Sequence, residues 1–237
     1  MDCLLSHDEL TAMVPLRAVI LLLLAVFPGA RSSLAESAAS PATVTFDFNF
    51  PGSIPERYTL QISESGDAHY QSGGKMDPNS DAAEPFTFDF KMSPANRARV
   101  FELAARAGYF EGNLNYSKGR MANTGAKTLT YRDAARNYSA TYNYSTNVAV
   151  QQLTQLCQNI SATLEFERRL EYLYRYQKLA LDEELKRMEQ MSKDNSLAEL
   201  QAIAPLLRKI AADQSVINVV RLRAQRLAGK AESAAGS

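Results

Sequence analysis

Hydrophobic and polar residues alternate with a period of two in the first half of the chain. In "TVTFDFNF", Val44, Phe46, Phe48 and Phe50 alternate with Thr45, Asp47 and Asn49. That pattern predicts a half-buried strand. "RYTLQISES" repeats it with Tyr58, Leu60 and Ile62, "ESGD" supplies a turn around Gly66, and "DAHYQS" is the return strand of a hairpin. A polar loop follows from Ser72 to Pro85, and "FTFDFKM" alternates again with Phe86, Phe88 and Phe90 on one face. Further on, "AKTLTYRD" and "NYSATYNY" predict two strands around a turn near Asp133 to Arg136.

Elsewhere the period changes to that of a helix. Ser93 is a good N-cap, Pro94 suits the first helical position, and Val100, Leu103, Ala104 and Ala107 form a stripe that ends at Gly108. From Thr146 the chain reads as helix almost to its end. One stripe runs through Val150, Leu153, Leu156, Ile160 and Leu164, then shifts phase at Phe166 and continues to Met188. A single straight helix of that length would span roughly 70 Å, so a bend or break is expected near residues 161 to 166. Ser196 with Glu199 has the spacing of a capping box, and Pro205 is expected to kink or split the following helix. The reading is α+β: an antiparallel sheet of about five or six strands with helices on one face, over residues 44–161, then a helical extension over 162–237.

The N-terminus predicts export. Arg17 precedes an unbroken apolar run from Ala18 to Phe27, then come Pro28 and Gly29, and Ser33-Leu34-Ala35 offers a cleavage site. This is the pattern of a secretory signal peptide over residues 1–35, with Met13 as an alternative translation start. The run is shorter than the roughly 20 residues that cross a bilayer. Residues 36–43 read as a flexible leader, and the mature chain is expected to be periplasmic or extracellular, without a membrane span.

Cleavage would leave Cys157 as the one cysteine and His69 as the one histidine, so neither an intrachain disulfide nor a Cys/His zinc site is expected. The chain has no formal net charge and is 46% hydrophobic, which argues for a folded protein and against nucleic acid as a partner. No cofactor or metal is expected. Ser72 and Lys75 match a Ser-x-x-Lys pair, but "MDPNSD" cannot continue the helix that motif requires. Asp77, Asn79 and Asp81 are spaced like the first calcium ligands, but Ala82 and Phe88 occupy the positions of the turn glycine and the bidentate glutamate.

Two stretches suggest surfaces. In "NYSATYNYS", Tyr138, Tyr142 and Tyr144 share a face that either packs on the core or stacks a planar ligand. The stretch also carries the sequons at Asn137 and Asn143, with others at Asn115 and Asn159. In "LEFERRLEYLYRYQK", Tyr172, Tyr174 and Tyr176 cannot all face one core, so these residues with Arg168 and Arg175 form a candidate partner surface.

The order "YTLQISESGDAHY", "ANRARVFELAARAGYF", "GAKTLTYRDAARNYSATY" and "VAVQQLTQLCQNI" resembles a family of secreted bacterial α+β domains, and is distantly similar to emfourin-type metalloprotease inhibitors. The resemblance covers less than half of the chain and implies a small open sheet packed by two helices. It transfers no inhibitory residue to any position here. The expected function is an exported, non-enzymatic protein that binds another protein or itself. The alternatives are an inhibitor of a secreted or envelope protease, and a hydrolase using Ser72 with Lys75 or His69.

Overall fold

The computed structural model describes residues 41–74 and 85–235. Six strands, β1 (Thr43–Asn49), β2 (Arg57–Ser63), β3 (Asp67–Gly73), β4 (Phe86–Lys91), β5 (Ala126–Arg132) and β6 (Asn137–Tyr142), form one sheet. Its order is β4-β3-β2-β1-β5-β6, and every neighbouring pair is antiparallel. The helices are α1 (Pro94–Arg106), α2 (Val148–Tyr176), α3 (Leu181–Lys193), α4 (Ala204–Ala212) and α5 (Asn218–Ala235). The mixed α+β class expected from the alternating pattern is therefore present.

The pleat sorts the side chains. Val44, Phe46, Leu60, Ile62, Tyr70 and Leu129 are completely buried on the inner face. The opposite face carries polar rungs: Thr128 bonds Thr141 at 2.8 Å, Thr130 bonds Ser139 at 2.9 Å, and Thr59 Oγ1 donates to Asp47 Oδ1 at 2.6 Å. Such alternation is what a sheet covered on one side requires. Gly125 opens β5 with φ +91°, and a Cβ there would lie 2.7 Å from that of Phe50. Only glycine lets the backbone pass so close.

Helix α1 begins as the sequence predicts, with Ser93 as N-cap and Pro94 in the first turn. Helix α2 departs from expectation. It runs unbroken through residues 161–166, and the chain turns only at Gln177, whose φ is −144° and ψ 57°. No bend accompanies the phase shift at Phe166. Helix α2 packs on β2 and α1 and also on α3 and α4. Residue 161, the expected boundary, lies inside this helix, and the described residues fall in a single compact unit.

Pro205 sits in the first turn of α4, behind a short 3₁₀ turn at Leu200–Ile203. The expected Ser196–Glu199 capping box does not form. Glu199 adopts φ +59° and turns its carboxylate toward the start of α1 instead. The signal segment, Lys75 and the calcium-like positions 77–81 lie outside the described residues. Among the described residues no helix is long and apolar enough to cross a membrane.

Candidate binding groove

Ser72 and His69, the described residues among those considered for hydrolysis, do not meet. Alternation along β3 sends Ser72 into the core and His69 to the open face. Ser72 Oγ donates to Glu165 Oε1 at 2.6 Å, and Tyr70 OH donates to the same oxygen at 2.9 Å. Tyr70 OH also lies 2.9 Å from Ser161 Oγ. Glu165 Oε2 is 3.6 Å from Arg168 Nη1, and Arg168 Nη2 donates to the carbonyl of Gly74 at 3.3 Å. Burial, reinforced by the Glu165 carboxylate, pushes the Tyr70 phenol well above its usual pKa. This buried network ties β3 to α2 and engages the Ser72 hydroxyl with a carboxylate. His69 pairs across the ladder with Asp89, Nδ1 to Oδ1 at 2.6 Å.

Adjoining this network, with Ser161 and Glu165 on its wall, an open groove of about 650 Å³ lies between α2, α3 and the β1–β2 loop. Phe166 and Arg169 reach it from α2, and Glu184, Arg187 and Met191 from α3. Each set is spaced by three or four residues, which puts it on one helical face. The third wall is Ile54 and Pro55, joined by a cis peptide bond.

The groove wall carries Arg169 and Arg187 with Glu184, while Glu165, also on the wall, turns its carboxylate to Ser72 and Tyr70. Arg169 Nε donates to Glu184 Oε1 at 2.5 Å, and Arg187 Nη2 donates to the same oxygen at 2.8 Å. Both guanidiniums also lie against the Phe166 ring, at 4.8 and 5.0 Å from its centroid. Two cations thus share one carboxylate oxygen. Arginine carries five N–H donors, so several remain without an acceptor among the described residues. Arg187 is 52% exposed and free to use its own.

No protein-family model and no curated protein matches the chain.

The same face of α2 continues past the groove. Tyr172 and Tyr176 follow Arg169 at three and seven residues, their ring centroids 5.2 Å apart. They are 40% and 67% exposed, and Leu179, in the turn before α3, is 81% exposed. From Gln158 to Tyr176 this face extends about 27 Å.

The sequence-predicted residues divide between surface and interior. Tyr172, Tyr176 and Arg175 are at the surface, with Arg175 Nη2 donating to Glu171 at 2.9 Å. Tyr174 faces the loop after α4, where its hydroxyl donates to Asp213 at 2.9 Å. Arg168 is buried in the Glu165 network, because it falls on the stripe of α2 that faces the sheet. The proposed tyrosine stacking face is not one surface. Tyr142 is buried beneath α2 with its hydroxyl 2.5 Å from Thr154 Oγ1, Tyr138 is half-buried, and only Tyr144 is exposed, edge-on to Tyr116. Arg169, Arg187 and Glu184 escaped the sequence reading as a group. Arg169 lies three residues after Phe166, but its approach to α3 depends on the turn at Gln177.

The described residues contain no cluster of three or more His, Cys, Asp or Glu able to hold a metal. Lys127, buried on the inner face, is satisfied internally, its Nζ 3.0 Å from the carbonyls of Thr124, Gly125 and Asn143. It ties the entry of β5 to the end of β6.

Proposed function

We propose that the chain is an exported protein that acts by binding another protein rather than by catalysis. The partner segment lies along α2. It places a carboxylate, from an acidic side chain or a chain terminus, against Arg169 and Arg187, and apolar side chains on Tyr172, Tyr176 and Leu179. The observation that carries this reading is the donor surplus of the two arginines over one shared oxygen of Glu184, continuous with exposed aromatic rings. Arg and Tyr are the residue types that dominate binding energy at protein interfaces. An extended face is better suited to a polypeptide than to a small molecule. Export rests on the apolar run from Ala18 to Phe27 and the small residues that follow it.

The test uses residues 36–237 as bait against envelope and culture-medium proteins, beside the variants Arg187→Ala and Tyr176→Ala. Both side chains are exposed, so both variants should fold. Each should retain about one tenth of a partner held by the wild type, as loss of a contact worth ~1.4 kcal/mol implies. Equal capture by all three would overturn the groove as the binding site. N-terminal sequencing of the native protein should begin near Glu36, and a chain that retains Arg17 would overturn export by cleavage.

A further inference from the structure

The sheet ends at β4, and among the described residues nothing pairs with its outer edge. The ladder fixes which backbone groups face outward. Met92 N donates to Gly66 O at 2.9 Å, one step beyond the Asp67–Lys91 pair. Hydrogen-bonded pairs alternate along an antiparallel ladder. Phe86, Phe88 and Phe90 therefore bond to β3, while Thr87, Asp89 and Lys91 turn their N–H and C=O groups to the open edge.

The side chains on this strand are unusual for an edge. Phe86, Phe88 and Phe90 are only half-buried, and their rings follow one another at 6.2 and 6.3 Å. No proline or bulge interrupts the strand from Phe86 to Lys91. Proteins commonly protect an edge with such devices.

The segment Phe86-Thr87-Phe88-Asp89-Phe90 reads almost the same in both directions. We propose that β4 pairs antiparallel with β4 of a second copy of this chain, about a two-fold axis through Phe88. In that register Phe88 faces its own copy, Phe86 faces Phe90, and Thr87 faces Asp89. The backbone groups of Thr87 and Asp89 in one copy bond those of Asp89 and Thr87 in the other, and the N–H of Lys91 reaches the carbonyl of Pro85. The phenylalanines of both copies lie on the same side and cover one another. Threonine opposite aspartate is a pair the sheet already uses, at Thr59 and Asp47. Moving the axis to Asp89 places two carboxylates face to face, which is unfavourable. Moving it to Thr87 sets Phe86 against Phe88 and Asp89 against Pro85, which leaves Phe90 and Lys91 opposite residues that precede the strand. The axis through Phe88 matches the whole segment. This surface is separate from the α2 groove, so either reading can fail alone.

Sedimentation equilibrium of residues 36–237 tests it, with the variants Thr87→Asp and Thr87→Lys. Position 87 is exposed and its side chain is on the polar face, so neither change touches the core. The wild type should be dimeric at roughly 100 µM. Thr87→Asp sets like charges opposite each other twice in the dimer and should weaken it about tenfold. Thr87→Lys sets opposite charges together and should tighten it several-fold, since cross-strand pairs contribute roughly 0.2–1 kcal/mol each. A wild type that stays monomeric at that concentration would overturn the proposal. So would a dimer indifferent to both variants, because the register would then be wrong.

Discussion

Glu199 caps α1 through Ser93, which lies 106 residues earlier in the chain. Its carboxylate accepts hydrogen bonds from the backbone N–H of Ser93 at 2.8 Å and from the Ser93 hydroxyl at 2.7 Å. Asn96 Nδ2 donates to it at 2.6 Å, and Gln201 Nε2 donates to its other oxygen. The first N–H groups of a helix have no partner within it, and a negative charge there is favoured. Glu199 is almost completely buried and held at φ +59°, a costly conformation for a glutamate. The capping bonds offset that cost and fasten the segment before α4 to the start of α1. Glu199→Ala should lower stability in urea by about 2–4 kcal/mol without changing the slope of the transition, because it strands buried donors on two elements. A loss below about 0.5 kcal/mol would mean that the cap contributes little.

Ser72 should be inert and structural. Its hydroxyl donates to a buried carboxylate under α2, so a serine-directed covalent reagent should not label it in the folded protein. Ser72→Ala removes one donor to Glu165 and should cost about 1 kcal/mol. Glu165→Ala should cost about 2–4 kcal/mol, since it removes the buried acceptor shared by Tyr70 and Ser72. Urea titrations of the two variants check the order. Labelled Ser72, or a Glu165→Ala variant as stable as the wild type, would contradict the network described.

The strands and the start of α1 were legible because their signals are local. Phenylalanine at every second position marks β1 and β4, and Ser93-Pro94 marks the helix entry. The break at Gln177 was not legible. It carries neither glycine nor proline, and the apolar stripe continues across it. What ends α2 there is the tertiary packing of α3, seen where Glu184 meets Arg169. Arg168 misled for a related reason. Charge usually signals surface, and Arg168 is buried beside Glu165, which accepts hydrogen bonds from Tyr70 and Ser72 on β3. The groove inherits both difficulties, because its arginines converge only after the chain has turned.

Cys157 should be unreactive until the protein unfolds. It lies completely buried in α2, and burial pushes its thiol up to about 12. Since the thiolate is the nucleophile, little of it exists at pH 8 and none is reachable. An aromatic disulfide reagent should release no chromophore from native residues 36–237 at that pH, and one equivalent per chain in denaturant. Rapid release from the native protein would show that α2 opens from the sheet.

Glu167 gives the fold a specific pH dependence. Burial first, and Glu171 one turn on, push its carboxyl up to about 7, while Lys209 opposes them. One of its oxygens is buried without a hydrogen bond. The folded protein therefore holds this proton more tightly than the unfolded chain, whose carboxyl titrates near the ordinary value of about 4.3. Where the native state binds more protons, stability falls as pH rises. The contribution of Glu167 is thus neutral below about pH 4 and becomes unfavourable through the window up to about 7. Above that it stays unfavourable and constant. Glu167→Gln lacks the charge but keeps the shape. It should match the wild type near pH 4 and exceed its stability by about 1–2 kcal/mol at pH 8, a value reduced for partial exposure to solvent. Urea titrations of both proteins at the two pH values isolate the effect, since every other group titrates in both. A difference that is equal at pH 4 and 8 would show that Glu167 ionises normally in the folded state.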